Sequence, residues 1–250
     1  MSARGLAFDI VGDGPPLVFL HGWGLSRELW TYQEDAFGAR YTVVIPDLPG
    51  FGGSAGLAGP YDLARYTVEL RELLRELALG PASVVGFAFG GAVAMSLANE
   101  DPSLIAALVL VSLPSGSRGL PYAKLPRAMR RDWPDFAAKS VRAMCKQPQS
   151  EATLAWLTHI FADVPLRVAI DTCGALATFE PAPLATGVGA RTLLVHGSLD
   201  DVVPVAVSEE CLGLMPQAKL TVIEGAGHLV PWDRKEALNE AIAAFLAPTA

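Results

Sequence analysis

Six short apolar runs rich in β-branched residues, separated by longer amphipathic stretches, constrain the fold most strongly. They fall at residues 17–20, 41–45, 83–87, 107–111, 192–195 and 220–223. Strands that are apolar at nearly every position are buried on both faces, as in a parallel sheet covered by helices. Helical spacing of apolar residues over 63–79, followed by Gly80-Pro81, predicts one such helix, and 235–246 predicts another. The sequence therefore predicts an α/β fold with a mostly parallel central sheet flanked by helices.

The alternation stops between residues 114 and 189. This stretch contains eight prolines and no buried strand pattern. A structureless loop of this length is uncommon inside a compact domain. We therefore expect short helices inserted as a lid at 114–189, with residues 1–113 and 190–250 forming the core.

The segment Gly86-Phe87-Ala88-Phe89-Gly90 has the spacing of the G-x-S-x-G nucleophile elbow, a strand that turns sharply into a helix. The glycines permit a tight turn that presents the central side chain. That central residue is Ala88, whose methyl group cannot attack a carbonyl carbon, so covalent acyl transfer through this position is excluded. Taken alone, the segment suits an ordinary strand–helix turn equally well.

A second motif follows the first apolar run, where the chain reads His21-Gly22-Trp23-Gly24. An HGxG loop in this position supplies one backbone N–H of an oxyanion hole, and the residue after the nucleophile supplies the other. The candidate donors are the backbone amides of Trp23 and Phe89. His21 is expected to brace the loop and not to act as a base.

Two further polar positions complete a catalytic set. Asp200 lies in an acidic turn after the fifth run, and His228 ends the loop Gly225-Ala226-Gly227-His228. We assign His228 as the general base and Asp200 as the carboxylate that orients it. The neighbouring Asp201 is expected to be solvated or helix-capping, and His159 and His196 to be structural. The chain order of nucleophile, acid and histidine is that of the α/β-hydrolases.

The residues at 20–30, LHGWGLSRELW, and at 47–54, DLPGFGGS, resemble the BioH-type pimeloyl-ACP methyl ester carboxylesterases of biotin synthesis. The resemblance implies an α/β-hydrolase fold and a serine esterase whose helical lid admits an acyl chain carried on acyl carrier protein. It implies a triad at Ala88 (in place of serine), Asp200 and His228, and an oxyanion hole at Trp23 and Phe89. The departure at Ala88 concerns activity and not fold.

The charge distribution singles out the predicted lid. The chain has a net charge of −7, which argues against general nucleic-acid binding. Eight of its nineteen basic residues nevertheless lie within 29 positions, opposed only by Asp132 and Asp135: Arg118, Lys124, Arg127, Arg130, Arg131, Lys139, Arg142 and Lys146. A solvated helical face is the plain interpretation. A basic lid would also attract an acidic carrier protein, and we favour that interpretation. Interleaved apolar residues are expected to line the lid's inner face against an acyl chain: Leu125, Met129, Trp133, Phe136 and Met144.

Composition bounds the remaining possibilities. No apolar run is long enough for a membrane span, and the first sixteen residues lack the apolar stretch of a signal peptide. Three widely spaced cysteines fit neither a disulfide framework nor a metal site, which suggests a reducing cytoplasm. No metal-ligand cluster or dinucleotide fingerprint is present, so no cofactor is expected. The sequence makes no prediction of oligomeric state, acyl chain length or leaving alcohol.

An engineered nucleophile knockout and a natural pseudoenzyme both explain Ala88. The intact acid, histidine and oxyanion loop favour the knockout. The predicted function is a serine carboxylesterase, acting on pimeloyl-ACP methyl ester and disabled at Ala88. The alternatives are a general small-molecule carboxylesterase or lactonase, a non-catalytic binding protein, and a serine-independent lyase or cyclase that uses His228 as its base.

Overall fold

A computed structural model describes residues 1–2, 4–118 and 120–247, with only the backbone described at residue 117. The predicted core therefore includes four residues outside the described part, 3 and 248–250. The predicted lid includes one, residue 119.

The described strands form one seven-stranded sheet in the order β1-β3-β2-β4-β5-β6-β7. Every neighbouring pair is parallel except β1 with β3. The strands are β1 (Phe8–Val11), β2 (Pro16–Leu20), β3 (Thr42–Pro46), β4 (Ala82–Phe87), β5 (Ile105–Val111), β6 (Arg191–Gly197) and β7 (Ala218–Ile223). The six apolar runs correspond to β2–β7, which confirms the predicted mostly parallel sheet.

The edge strand β1 is the one that sequence patterning missed. It pairs antiparallel with β3, with Ile10 opposite Val44. Its side chains are largely solvated, because Ile10 is 47% and Val11 41% exposed. A four-residue edge strand of this kind has no buried apolar run to reveal it.

The helices of the described part cover the sheet and fill the interval between β5 and β6. They are α1 (Thr31–Phe37), α2 (Leu63–Leu77), α3 (Phe89–Glu100), α4 (Leu125–Arg131), α5 (Trp133–Met144), α6 (Glu151–Asp163), α7 (Leu166–Ala177), α8 (Pro181–Ala185), α9 (Ala206–Leu214), α10 (Val230–Asp233) and α11 (Lys235–Leu246). The predicted helix at 63–79 ends two residues early, because Ala78 adopts a left-handed conformation with φ 50°. None of the helices in the described ranges combines the length and apolar character that a membrane crossing requires.

Alternate strand residues face opposite sides of the sheet, and each side has its own apolar cluster. On β4, Val84 belongs to the cluster that contains side chains of α2 and α3, such as Leu70 and Val93. Its neighbour Val85 belongs to the cluster that contains Leu238 of α11. This period of two places helices on both faces, as a buried parallel sheet requires.

The segment between β5 and β6, here called the inserted segment, contains helices α4–α8 and no strand in its described residues. Within it α5 packs on α6, and α4 packs on α7. The Asp132 carboxylate caps α5 by accepting the Asp135 amide, and Ser150 caps α6 by accepting the Thr153 amide. The Trp133 indole N–H donates to the Ala162 carbonyl oxygen at 2.8 Å, which ties α5 to α6.

Candidate active site

Ala88 occupies the sharp turn between β4 and α3. Its backbone has φ 45° and ψ −111°, outside the regions that L-residues ordinarily adopt. Its N–H donates to the Val111 carbonyl oxygen at 2.8 Å, which holds the turn against β5. A Cβ at Gly90 would lie 2.4 Å from the Leu20 carbonyl oxygen, so only glycine fits there. The strained backbone of Ala88 persists because the surrounding structure enforces it, and strained residues of this kind occur commonly at functional sites.

A cavity of about 310 Å³ opens in front of this turn. Ala88 and His228 both line it, and most of its remaining wall is apolar. The inserted segment contributes to that wall from several helices, including Leu125, Phe136, Met144, Phe161 and Leu176. The arrangement suits a ligand that has an apolar body and reacts beside Ala88 and His228.

His228 and Asp200 form a buried hydrogen-bonded pair. The Nδ1–H of His228 donates to Oδ2 of Asp200 at 2.8 Å. The Asp200 side chain is fully buried, and that of His228 is 6% exposed. The other Asp200 oxygen accepts the backbone amides of Val202 and Val203, each at 2.9 Å. With Nδ1 engaged, Nε2 of His228 remains the ring nitrogen free to accept a proton.

The environment of Asp200 favours its charged form. Burial alone would raise the pKa of this carboxyl, but the charge of His228 lowers it. Hydrogen bonds from His196, His228 and the Val203 amide lower it further, so the net pKa lies well below its usual range. The rival Asp201 differs sharply: its side chain is 75% exposed and pairs with the Lys146 ammonium at 2.5 Å. The geometry therefore joins Asp200, and not Asp201, to His228.

The predicted oxyanion donors come from two segments, the loop after β2 and the start of α3. Phe89 is the first residue of α3, so its amide is among those without a partner inside the helix. Trp23 lines the same cavity, and its indole N–H donates to the Ala169 carbonyl oxygen on α7 at 3.0 Å. Within the described part of the chain, neither the Trp23 nor the Phe89 backbone amide donates a hydrogen bond. The assignment of these two amides as oxyanion donors stays a prediction.

The other histidines lie outside the cavity wall. His21 is fully buried, with Nδ1 2.9 Å from the Gly22 carbonyl oxygen and Nε2 accepting the Leu48 amide at 3.0 Å. These contacts brace the loop, in the manner predicted. Burial lowers the pKa of His21, which keeps its ring neutral. His159 is 74% exposed, beside Asp163.

His196 contributes a contact that sequence reasoning did not anticipate. Its Nε2 lies 3.0 Å from the Val203 carbonyl oxygen and 3.3 Å from Oδ2 of Asp200. Both neighbours are acceptors, so the proton resides on Nε2. Nδ1 lies 2.9 Å from the Ser208 hydroxyl, which completes the arrangement. Asp200 is therefore held between two imidazoles.

The eight basic residues of the predicted lid divide into two groups. Four form ion pairs: Arg118 with Glu210, Lys139 with Asp135, Arg142 with Glu151, and Lys146 with Asp201. The other four are exposed and form no ion pair within the described residues; we call them the α4 basic patch: Lys124, Arg127, Arg130 and Arg131. Of all eight, Lys139 lines the cavity.

Three of the five apolar residues predicted to face an acyl chain do line the cavity: Leu125, Phe136 and Met144. For Met129 and Trp133 the prediction was wrong. Met129 is fully buried in the core cluster that contains α7 side chains. Trp133 stacks on Phe136 with ring centroids 5.8 Å apart and is not among the residues that line the cavity. In the described part of the chain, no group of three or more His, Cys, Asp or Glu side chains is arranged to hold a metal ion.

The fold and the elbow–acid–histidine arrangement define an α/β-hydrolase scaffold. Residues 17–241 match the model of the alpha/beta hydrolase family. The chain belongs to this family.

Similar proteins include named esterases. The chain is 30% identical over 244 residues to the pimeloyl-[acyl-carrier protein] methyl ester esterase of Aeromonas hydrophila, covering 87% of this chain and 89% of that protein. The esterase EaEST from Exiguobacterium antarcticum superposes with a TM-score of 0.92 at 21% identity, covering 98% of this chain and 97% of that one. A thermophilic esterase from Thermogutta terrifontis superposes with a TM-score of 0.84 at 26% identity, covering 96% and 92% of the two chains.

Proposed function

We propose that this chain is built as a carboxylesterase in which Ala88 stands at the nucleophile position. The observation that carries the proposal is that Ala88, on its strained elbow, shares one apolar cavity with His228, which is paired with Asp200. A binding protein has no need of a buried carboxylate–imidazole pair beside an elbow. With the alanine methyl in place, the chain is expected to bind an ester without cleaving it.

In the proposed reaction a serine at position 88 would attack the ester carbonyl carbon while Nε2 of His228 takes the hydroxyl proton. The oxyanion would accept the amides of Trp23 and Phe89. His228 would return the proton to the departing alcohol. Nε2 of His228 would then take a proton from water as the water oxygen attacks the acyl carbon, and would pass that proton to the serine oxygen as the acyl–serine bond breaks and the acid leaves. Asp200 would keep the His228 proton on Nδ1 and stabilise the imidazolium.

We propose an acyl methyl ester carried on acyl carrier protein as the substrate, in line with the pimeloyl-[acyl-carrier protein] methyl ester esterase relative. The apolar wall would hold the acyl chain. The α4 basic patch would attract the acidic carrier, because its four side chains are exposed and not neutralised by ion pairs within the described residues. Leu125 lines the cavity and lies on the helix that carries Arg127, Arg130 and Arg131, which supports the proposal.

We further propose that the inserted segment, residues 114–189, acts as a lid over a core of residues 1–113 and 190–250. Its helices supply one wall of the cavity and the core loops supply Ala88 and His228. All three cysteines lie in the described part and are free thiols, in keeping with a cytoplasmic location for the proposed reaction.

The test is Ala88→Ser, assayed for methyl-ester hydrolysis on pimeloyl–carrier protein and on simple methyl esters, beside the chain with Ala88. Removal of a catalytic serine costs on the order of 10⁶-fold in kcat in the subtilisin example, so restoration should raise the rate by several orders of magnitude. Activity on simple esters alone would favour a general carboxylesterase or lactonase. A folded Ala88→Ser protein that is inactive on both would overturn the esterase proposal and favour ligand binding or serine-independent chemistry.

A further inference from the structure

A second buried carboxylate joins the His228 loop to the inserted segment. Asp233, at the end of α10, is only 6% exposed. Its Oδ2 accepts the Gly227 amide at 2.8 Å and the Lys146 amide at 2.8 Å. Gly227 directly precedes His228, and Lys146 lies two residues beyond the end of α5. One oxygen atom therefore connects the peptide before the proposed base to the end of a helix that lines the cavity.

Other contacts join the same two segments. The Leu229 amide, on the far side of His228, donates to the Met144 carbonyl oxygen at 3.0 Å. The Gln147 side-chain amide donates to the Gly225 carbonyl oxygen at 2.7 Å. A Cβ at Gly227 would lie 2.6 Å from Cγ of Lys146, so the two segments are in close contact. The His228 loop is thus attached to the end of α5 on both sides of the imidazole.

The Asp233 attachment differs from an ordinary surface ion pair. A buried carboxylate is stable only where donors satisfy it. Among the described residues, three of the four donors to Asp233 are the backbone amides of Gly227, Lys146 and Gln147, whose positions are set by the chain, and the fourth is the Gln149 side chain. Holding the Gly227 amide fixes the Ala226–Gly227 peptide plane, one residue before His228. A misplacement of about 1 Å in a reacting group can cost on the order of 10²-fold in rate, so this attachment bears directly on the base.

We propose that Asp233 is a positioning residue for His228, acting through the Gly227 amide with the end of α5 as its anchor. The inference rests on the proposed function, since it concerns the base of that reaction. The inference also extends the proposed function, because the placement of the base then depends on a helix of the inserted segment.

The first test compares Asp233→Asn with Asp201→Asn, both in the Ala88→Ser protein. Both aspartates contact Lys146, but Asp233 accepts its buried backbone amide and Asp201 pairs with its ammonium. An asparagine at 233 has one acceptor oxygen and turns an NH₂ group toward donors. We expect kcat to fall by about 10²-fold, with KM for a simple methyl ester nearly unchanged, while Asp201→Asn retains the rate. Equal kcat values for the two variants would overturn the inference.

The second test needs no hydrolysis and uses the chain with Ala88. The His228 Nδ1–H proton, hydrogen-bonded to buried Asp200, is followed by NMR well below the unfolding temperature. A positioning role predicts that Asp233→Asn shifts or broadens this signal and that Asp201→Asn does not; an unshifted signal in folded Asp233→Asn contradicts it. If Ala88→Ser proves inactive, the esterase proposal fails while this measurement still decides the role of Asp233.

A variant that keeps the buried charge covers the case in which Asp233→Asn does not fold. Asp233→Glu keeps the charge but moves the carboxylate by one methylene relative to the Gly227 and Lys146 amides. We expect a smaller fall in kcat in the Ala88→Ser protein and a smaller displacement of the His228 signal. No displacement in this variant would overturn the inference.

Discussion

The Asp200 carboxylate accepts the Nδ1–H of His228 at 2.8 Å, although the elbow carries alanine and no hydroxyl proton is available to transfer. The pair is therefore complete in the chain as it stands.

In the Ala88→Ser protein, Asp200→Asn should lower kcat by about 10⁴-fold, the loss seen in the Ser-His-Asp template when the carboxylate becomes an amide. Asp201→Asn is the matched control, because its side chain is 75% exposed, and it should stay close to the parent. Similar losses from both variants would refute the assignment of Asp200.

Stability should decline with acid in two stages. Burial lowers the pKa of His21, so the folded protein binds this proton less readily than the unfolded chain. The stability that His21 contributes is complete above the unfolded-state pKa of about 6.5 and is lost as the pH falls below that value. The pKa of Asp200 is also lowered, despite burial, by His228 and hydrogen bonds, so its contribution is lost below about pH 4.

The measurement is the free energy of unfolding from urea titrations between pH 8 and 3. His21→Asn should make the free energy of unfolding depend less steeply on pH just below pH 6.5. Asp200→Asn should do the same below pH 4. Replacement of the exposed Gln217, a side chain that does not titrate, by Asn should leave both pH dependences unchanged. A pH dependence that is the same in all three variants would contradict these assignments.

Much of the site was predictable because its signals are local. The elbow, the HGxG loop and the acid and histidine turns each follow an apolar strand within a few residues, and parallel strands bring their carboxyl ends to one edge of a sheet. Pairing of residues 200 and 228 follows from that topology. The helix at 235–246 was predicted at the bounds that the structure has, since its apolar spacing is unbroken.

The parts that were missed depend on contacts distant in sequence. Arg118 pairs with Glu210, and the Asp233 carboxylate meets the Lys146 amide, 87 positions away. No periodic pattern marks such pairs. Met129 was wrongly expected to line the cavity for the same reason: it is buried, but against α7 side chains, and the sequence of α4 alone does not specify which of its buried residues face the cavity.

Two glycine substitutions should have opposite effects on stability. At Gly90 a Cβ would lie 2.4 Å from one backbone oxygen and 2.6 Å from another, so Gly90→Ala should destabilise the fold by roughly 1–3 kcal/mol or more. At Gly174, within α7, a Cβ meets no atom within 4 Å, and alanine should stabilise the helix by roughly 0.5–1 kcal/mol. Chemical denaturation of the two variants tests this; a neutral Gly90→Ala would mean that the elbow is looser than its contacts indicate.

The α4 basic patch should act on carrier-bound esters and not on small ones. In the Ala88→Ser protein, Arg127→Glu with Arg131→Glu should lower kcat/KM for pimeloyl–carrier protein methyl ester by roughly 10-fold or more, because charge attraction accelerates encounter. The same double variant should hydrolyse simple methyl esters at the parent rate, since neither side chain lines the cavity. Arg40→Glu with Arg167→Glu, both at exposed positions outside the patch, makes the same change in net charge and is the control. Added salt should lower kcat/KM of the parent for the carrier-bound ester. The difference in kcat/KM between the parent and the double variant should then become smaller. Equal losses on small and carrier-bound esters would indicate damage to the cavity, and no loss on either would assign the patch to a merely solvated face.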